Sequence, residues 1–224
     1  MSHAAAAAMR PPFPAEPGLE VYNKKLGMWV FLLSEVMFFT ALIGSYVILR
    51  FGAGTPWAQP GAVLNVPLTA MNTFLLICSS VFMVKAYAAI SDGDQAGLKK
   101  WLLATILAGA AFVGVQVFEY IKLVSHGLTP AGFRDASELA GLAAAEPLKY
   151  GVDAAGLYGS TFFTMTGFHG FHVTCGVLSM VWVYLKALRG GYTREDHAGV
   201  EVIGLYWHFV DLVWIILFTI VYLI

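Results

Sequence analysis

Five long apolar runs, separated by short polar breaks, dominate this chain of 224 residues. A hydrocarbon layer about 30 Å thick is crossed by about 20 apolar residues of helix, and each run supplies that length. The expected fold is therefore all-α: a polytopic membrane helix bundle of five transmembrane helices in a single domain over residues 26–224. The spans are expected at about 26–49, 68–90, 101–124, 157–189 and 203–224. Composition agrees, with 58% hydrophobic residues, only 12% charged, and a mean hydropathy of +0.72.

Residues 1–25 are expected to be a disordered tail. The alanine run followed by Arg10, Pro11, Pro12, Pro14 and Pro17 cannot bury enough apolar area to order itself. Ala4 to Ala8 is too short and too weakly apolar for a cleaved signal peptide, so the first span is expected to be retained. The net charge of -1, with no basic cluster interleaved with aromatics, argues against a nucleic-acid partner. Cys78 and Cys175 each lie alone in an apolar run without metal-ligand spacing, which marks them as small packing residues.

Basic residues sort unevenly between the two sides of the membrane. Arg10, Lys24, Lys25, Lys85, Lys99, Lys100, Lys186, Arg189 and Arg194 fall on one side, and Arg50, Lys122, Arg134 and Lys149 on the other. The positive-inside rule then places the N-terminus in the cytoplasm and the C-terminus on the periplasmic or outer side. The long break over 125–156 is read as an external loop, with a short surface helix expected over its Ala-rich 139–148 stretch.

An ionisable side chain at mid-bilayer costs about 2.5 to 3.5 kcal/mol on insertion scales, so each one calls for a partner or a function. Glu35, Gln116, Glu119, His169, His172, His208 and Asp211 are the polar residues singled out within the spans. Counting about 1.5 Å per residue from the expected span ends puts Glu35 and Asp211 in one layer about 12 to 14 Å from the inner face. The same count puts Glu119, His169 and His172 together at about 25 to 30 Å, so that a Glu119–histidine hydrogen bond is expected to be within reach. A b-type haem would need two histidines facing each other at one depth; His169 and His172 share one helix, and His208 lies only about 8 Å in. A carboxylate-bridged metal pair would need a Glu-x-x-His motif, which does not occur. Glu35, with Ser34 and Thr40 near it, is the one candidate for a proton-conducting site, against the plainer reading of a neutral, hydrogen-bonded carboxyl.

Small residues, among them Gly159, Gly167, Gly170, Gly176, Thr166 and Ser179, give the fourth span a surface suited to close helix approach. The tryptophans fall partly near span ends, where aromatic belts form, and partly deeper, where they suggest packing against a partner.

The segments themselves resemble cytochrome c oxidase subunit III along nearly the whole chain. The first span reads LGMWVFLLSEVMFFTALIGSY, with Ser34, Glu35, Met37, Phe38 and Phe39 in the family's Ser-Glu segment, and the second offers Asn72, Thr73, Ser79 and Ser80. The third holds Gln116, Glu119 and Tyr120 in a Q-x-x-E-Y pattern, the fourth GSTFFTMTGFHGFHVTCG, and the fifth YWHFVDLVWIILF. Matches on five spans in the right order are far more specific than any one motif. The resemblance implies a non-catalytic subunit of a proton-pumping haem-copper terminal oxidase in a bacterial inner (plasma) membrane. Such a subunit packs on subunit I, shares the complex with subunit II and a small subunit IV, and binds phospholipid. It implies no cofactor in this chain, with haem and copper held by the partner subunits. It also implies that Glu35 matches a buried glutamate that oxygen reduction does not require, and that the subunit supports proton uptake by subunit I.

The sequence departs from the long, seven-helix form by starting at the equivalent of its third helix. Short forms resembling this one accompany cytochrome c and quinol oxidases, and relatives accompany nitric oxide reductases. A reading of another class, an independent proton channel or transporter using Glu35 and Asp211, finds neither internal repeats nor broken helices to support it.

Overall fold

A computed structural model describes residues 19–52, 64–125, 128–130, 132–133 and 152–224. The tail before Leu19, Trp57, and the Ala-rich stretch with its expected surface helix lie outside the described residues. Five helices carry the fold: α1 (Leu19–Gly52), α2 (Val66–Ser91), α3 (Gln95–Ser125), α4 (Val152–Leu188) and α5 (Ala198–Phe218), the last continuing into a π-helical turn over Thr219–Leu223. Between α3 and α4 a minimal antiparallel ribbon pairs β1 (Leu128–Thr129) with β2 (Gly132–Phe133). All five helices are long and apolar enough to cross a membrane.

Local chemistry sets where the helices begin and end. Asn65 caps α2 by accepting the Leu68 N–H at 3.3 Å, with Pro67 in the first turn, where a missing N–H costs nothing. The α2–α3 turn needs Gly93 at φ +85, after which the Asp94 carboxylate accepts from the Ala96 and Gly97 N–H groups at 3.0 and 2.9 Å. Gly190, at φ +71, ends α4 in the same left-handed way.

Helices α2, α3, α4 and α5 form a closed ring in which each touches the next and α5 returns to α2, while α1 lies outside against α4 and α5. Burial follows this order: half of the most apolar window of α5 is buried, against 11% of that of α1. Two indoles of α5 fill the ring. Trp207 donates from Nε1 to Ser79 Oγ at 3.0 Å, and Trp214 from Nε1 to Thr73 Oγ1 at 2.9 Å, so both N–H groups find hydroxyls on α2. The deep tryptophans expected to face a partner are thus, in Trp207 and Trp214, the chain's own core. Gly109 and Gly176 make room for Trp207; a Cβ at Gly109 would stand 2.5 Å from its ring, and one at Gly176 would stand 3.0 Å away. The small-residue surface of α4 therefore divides, with Gly176 turned inward and Gly170 facing open space.

Every helix extends past its expected span. α1 starts at Leu19 rather than Leu26, so part of the stretch assigned to the tail is helical, and α4 starts at Val152 rather than Leu157. Hydropathy finds only the hydrocarbon-crossing part, whereas a helix continues into its polar flanks when they find partners: Lys25 Nζ lies 2.7 Å from Glu201 Oε1, tying the start of α1 to the start of α5.

Gly109→Val is expected to lower the unfolding temperature of the detergent-purified protein, because Trp207 and Val177 must both move, at an overpacking cost of about 1–3 kcal/mol. Gly114→Ala, on the same helix with nothing within 4 Å, is the control and should not lower it.

Candidate functional site

The singled-out polar residues are spread over several separate places. Glu35, near the middle of α1, meets His172, near the middle of α4, with 3.0 Å between Oε2 and Nε2. The other ring nitrogen, Nδ1, lies 2.7 Å from the Phe168 carbonyl oxygen, which can only accept. Nδ1 therefore carries a proton, and a single further proton sits between Nε2 and Oε2. Whether it rests on the histidine or on the carboxyl, the pair has no net charge, which suits a site in hydrocarbon. Phe39 and Phe171 stand at 5.2 and 5.8 Å from the imidazole centroid and wall the pair in.

The Glu119–histidine bond that the depth count allowed is not formed. Glu119 instead joins α2 to the end of α5: Oε1 lies 3.0 Å from Thr69 Oγ1, and Oε2 accepts from the Tyr222 hydroxyl at 3.2 Å. Thr69 also stands 3.1 Å from the Asn65 carbonyl, so its one proton serves a single acceptor at a time. Counting depth from Arg189 misplaced the fourth-span histidines, because α4 runs beyond the hydrocarbon and the midpoint of a 37-residue helix falls beside His169 and His172. Glu35 and Asp211, expected to share a layer, have different partners. Asp211 is buried on α5 beside Ser80, whose hydroxyl lies 2.8 Å from His208 Nδ1.

Gln116 donates from Nε2 to the Tyr120 hydroxyl at 3.5 Å, and Tyr120 bonds Thr166 on α4. His169 is fully buried, stacked on Trp214 at 4.8 Å and approached edge-on by Phe112 at 6.0 Å. Neither of its ring nitrogens has a hydrogen-bond partner among the described residues. Sequence reasoning missed the hydroxyls Thr69, Thr73, Ser79 and Ser80 as the partners of the polar and indole groups. Their positions along one face of α2, opposite the acid and indole positions of α3 and α5, were the available signal.

Among the described residues, no group of three or more His, Cys, Asp or Glu side chains is placed to hold a metal ion. Cys78 and Cys175 are half-buried free thiols. The arrangement joins helices through hydrogen bonds between side chains.

Comparison with known proteins bears directly on this arrangement. A family model described as cytochrome c oxidase subunit III matches residues 19–132 and 149–224, leaving out the Ala-rich 139–148 stretch. The chain is similar to a cytochrome c oxidase subunit 3 of Thermostichus vulcanus, 35% identical over 199 residues, covering 88% of this chain and 86% of that protein. It is also similar to one of Corynebacterium diphtheriae, 37% identical over 202 residues, covering 89% and 87%. A probable cytochrome c oxidase subunit 3 of Mycobacterium tuberculosis is 35% identical over 199 residues, covering 89% and 87%.

A double-mutant cycle of Glu35→Ala and His172→Ala, read by chemical unfolding in detergent, is expected to give a coupling of about 0.5–2 kcal/mol, as for other hydrogen bonds between membrane helices. Glu35→Gln, which keeps a donor toward Nε2, should cost less than Glu35→Ala; equal costs would mean that the bond contributes nothing.

Proposed function

This chain belongs to the cytochrome c oxidase subunit III family, and from that premise we propose that it serves a haem-copper terminal oxidase as a membrane scaffold for subunit I, itself performing no redox chemistry. The observation that carries this reading is that the family match takes in all five helices, with every intramembrane polar residue discussed above inside the matched segments. The match supports a multi-pass membrane subunit of an oxygen-reducing, proton-translocating complex. Bacterial relatives support a bacterial plasma membrane as its location.

The finer assignments follow from chemistry on the surface of the bundle. α1 is the least covered helix, and its exposed Trp29, Val30, Leu33, Val36 and Met37 offer an apolar face for subunit I, with subunit II and a small subunit IV completing the assembly. A groove of about 540 Å³ between α1 and α5, lined by Trp29, Leu33, Val36, His208, Phe209 and Leu212, has the width and apolarity to hold an acyl chain of a phospholipid. Glu35 lies on the inward side of α1 where it meets α4, its side chain 16% exposed, so support of proton uptake by subunit I would have to reach this carboxyl at the α1–α4 contact. Cytochrome c is the proposed electron donor of the complex, following the relatives' names.

The orientation follows the charges. Lys24, Lys25, Lys85, Lys99, Lys100, Lys186, Arg189 and Arg194 lie toward one end of the bundle, and only Arg50 and Lys122 among the described basic residues lie toward the other. Trp101 anchors the basic end, with Lys85 Nζ 4.4 Å from its ring centroid. We place this end in the cytoplasm. A cysteine at Lys99, in a chain with Cys78 and Cys175 replaced by serine, should be labelled in intact cells only by a membrane-permeant maleimide. Labelling by an impermeant one would invert the topology.

Purified through a tag on this chain in mild detergent, the complex is expected to show haem bands in a reduced-minus-oxidised spectrum, to contain a haem-copper subunit I, and to consume oxygen. A colourless chain that comes alone would sink the reading. Within that complex Glu35→Ala is expected to leave the initial rate of oxygen reduction within about twofold of the parent, while shortening operational life or weakening retention of the subunit. A thousandfold loss of initial rate would contradict a non-catalytic subunit.

A further inference from the structure

Four buried polar atoms on three ring helices have no hydrogen-bond partner among the described residues: Asn72 Oδ1 on α2, Gln116 Oε1 on α3, and both Nδ1 and Nε2 of His169 on α4. They cluster around one residue. Asn72 donates from Nδ2 to the Phe112 carbonyl at 3.2 Å, the Phe112 ring meets the His169 imidazole edge-on, and Gln116 lies one helical turn beyond Phe112. A second connection closes the group, since Gln116 reaches Tyr120, Tyr120 bonds Thr166, and Thr166 precedes His169 by one turn of α4. The Trp214 ring, stacked on His169, covers the α5 side and spends its own N–H on Thr73.

We propose that the ring centre between Asn72, Gln116 and His169 is a binding site for ordered water. Hydrocarbon offers these atoms nothing, and a buried acceptor left without a donor is strongly unfavourable. The donor and acceptor counts fit one water molecule. The two amide oxygens only accept, and an uncharged imidazole carries one N–H and one acceptor nitrogen. One water donating to Asn72 Oδ1 and Gln116 Oε1 and accepting from the His169 N–H makes three hydrogen bonds, the usual number for a buried water. The remaining imidazole nitrogen is an acceptor that only a second donor, such as a neighbouring water, can satisfy. Phe112 and Trp214 close the site with apolar surface, so the water is held internally and has no direct path to lipid. The four ring helices are thereby joined at their common centre: α2, α3 and α4 through the water, and α5 through the indole stacked on His169.

Two measurements test this, and neither depends on which partners surround the subunit. A cryo-electron microscopy map of the purified complex, at a resolution that shows ordered water elsewhere in the membrane domain, should contain an isolated peak about 2.7–3.2 Å from a His169 ring nitrogen and from at least one of the two amide oxygens. An empty centre overturns the proposal, and so does a peak with four or more oxygen and nitrogen neighbours at shorter, metal-like distances, which would be a bound cation. The second measurement is the unfolding temperature of His169→Phe. With water present, phenylalanine removes one of its partners and leaves the amide oxygens poorly served, so the unfolding temperature falls. In a dry centre the same change only removes two orphaned nitrogens from an aromatic slot, so an unchanged or raised temperature overturns the proposal. If His169→Phe does not assemble, the map of the parent complex decides alone.

Discussion

Hydrocarbon neither accepts a hydrogen bond nor drives one apolar helix against another, and the structure answers both deficits at the same places. Where helices must meet, a polar group on one finds its partner on the next: Trp207 with Ser79, Trp214 with Thr73, Glu119 with Thr69 and Tyr222, Tyr120 with Thr166. Close packing then comes from shape. The Trp207 ring lies where Gly109 and Gly176 leave it space, and either glycine's replacement by a larger residue would push it out. The ring of α2 to α5 is thus specified by a few donor–acceptor pairs and one size match, rather than by the amount of apolar surface, which lipid would cover equally well.

α1 shows the same logic in its barest form. Little of it is buried, so dispersion contacts alone give it little reason to stay against α4 and α5. It is fastened at three levels: Lys25 to Glu201 at one end, Glu35 to His172 in the middle, and Arg50 to the Ile224 carbonyl at the other. The end contacts lie where headgroups and water weaken them, and the middle one is shielded by Phe39 and Phe171. A helix held by its polar points keeps its apolar face free, as a subunit that must present a surface to a larger neighbour requires.

How much of this could be read from the chain depended on the length scale of the signal. Runs of 20 apolar residues are a strong signal, and the five helices appeared where expected, as did the family pattern spread across them. Pairings between helices were harder, because they depend on vertical register, and hydropathy locates a span's ends only to within the polar turns that flank it. The extra turns at the start of α1 and the projecting end of α4 were enough to move His172 out of the Glu35 layer on paper, and to suggest Glu119 as its partner instead. The deep tryptophans were misassigned for another reason. Nothing in a single sequence says whether an indole in a span faces a neighbour in the same chain or in another, although Thr73 and Ser79 on α2 and Trp207 and Trp214 on α5 are spaced to meet across an antiparallel pair.

The mid-membrane pair also limits what the subunit can do with a proton. His172 spends its Nδ1 proton on the Phe168 carbonyl of its own helix, a group that cannot pass it on, so the imidazole is closed on that side. Any exchange of the shared proton must go through the Glu35 carboxyl, whose side chain keeps 16% of its surface exposed. Inside the subunit, then, the pair is a joint with no onward acceptor. A proton route through the pair would need its next group from outside the described residues, and the glutamate in hydrocarbon is accounted for by the joint it makes between α1 and α4.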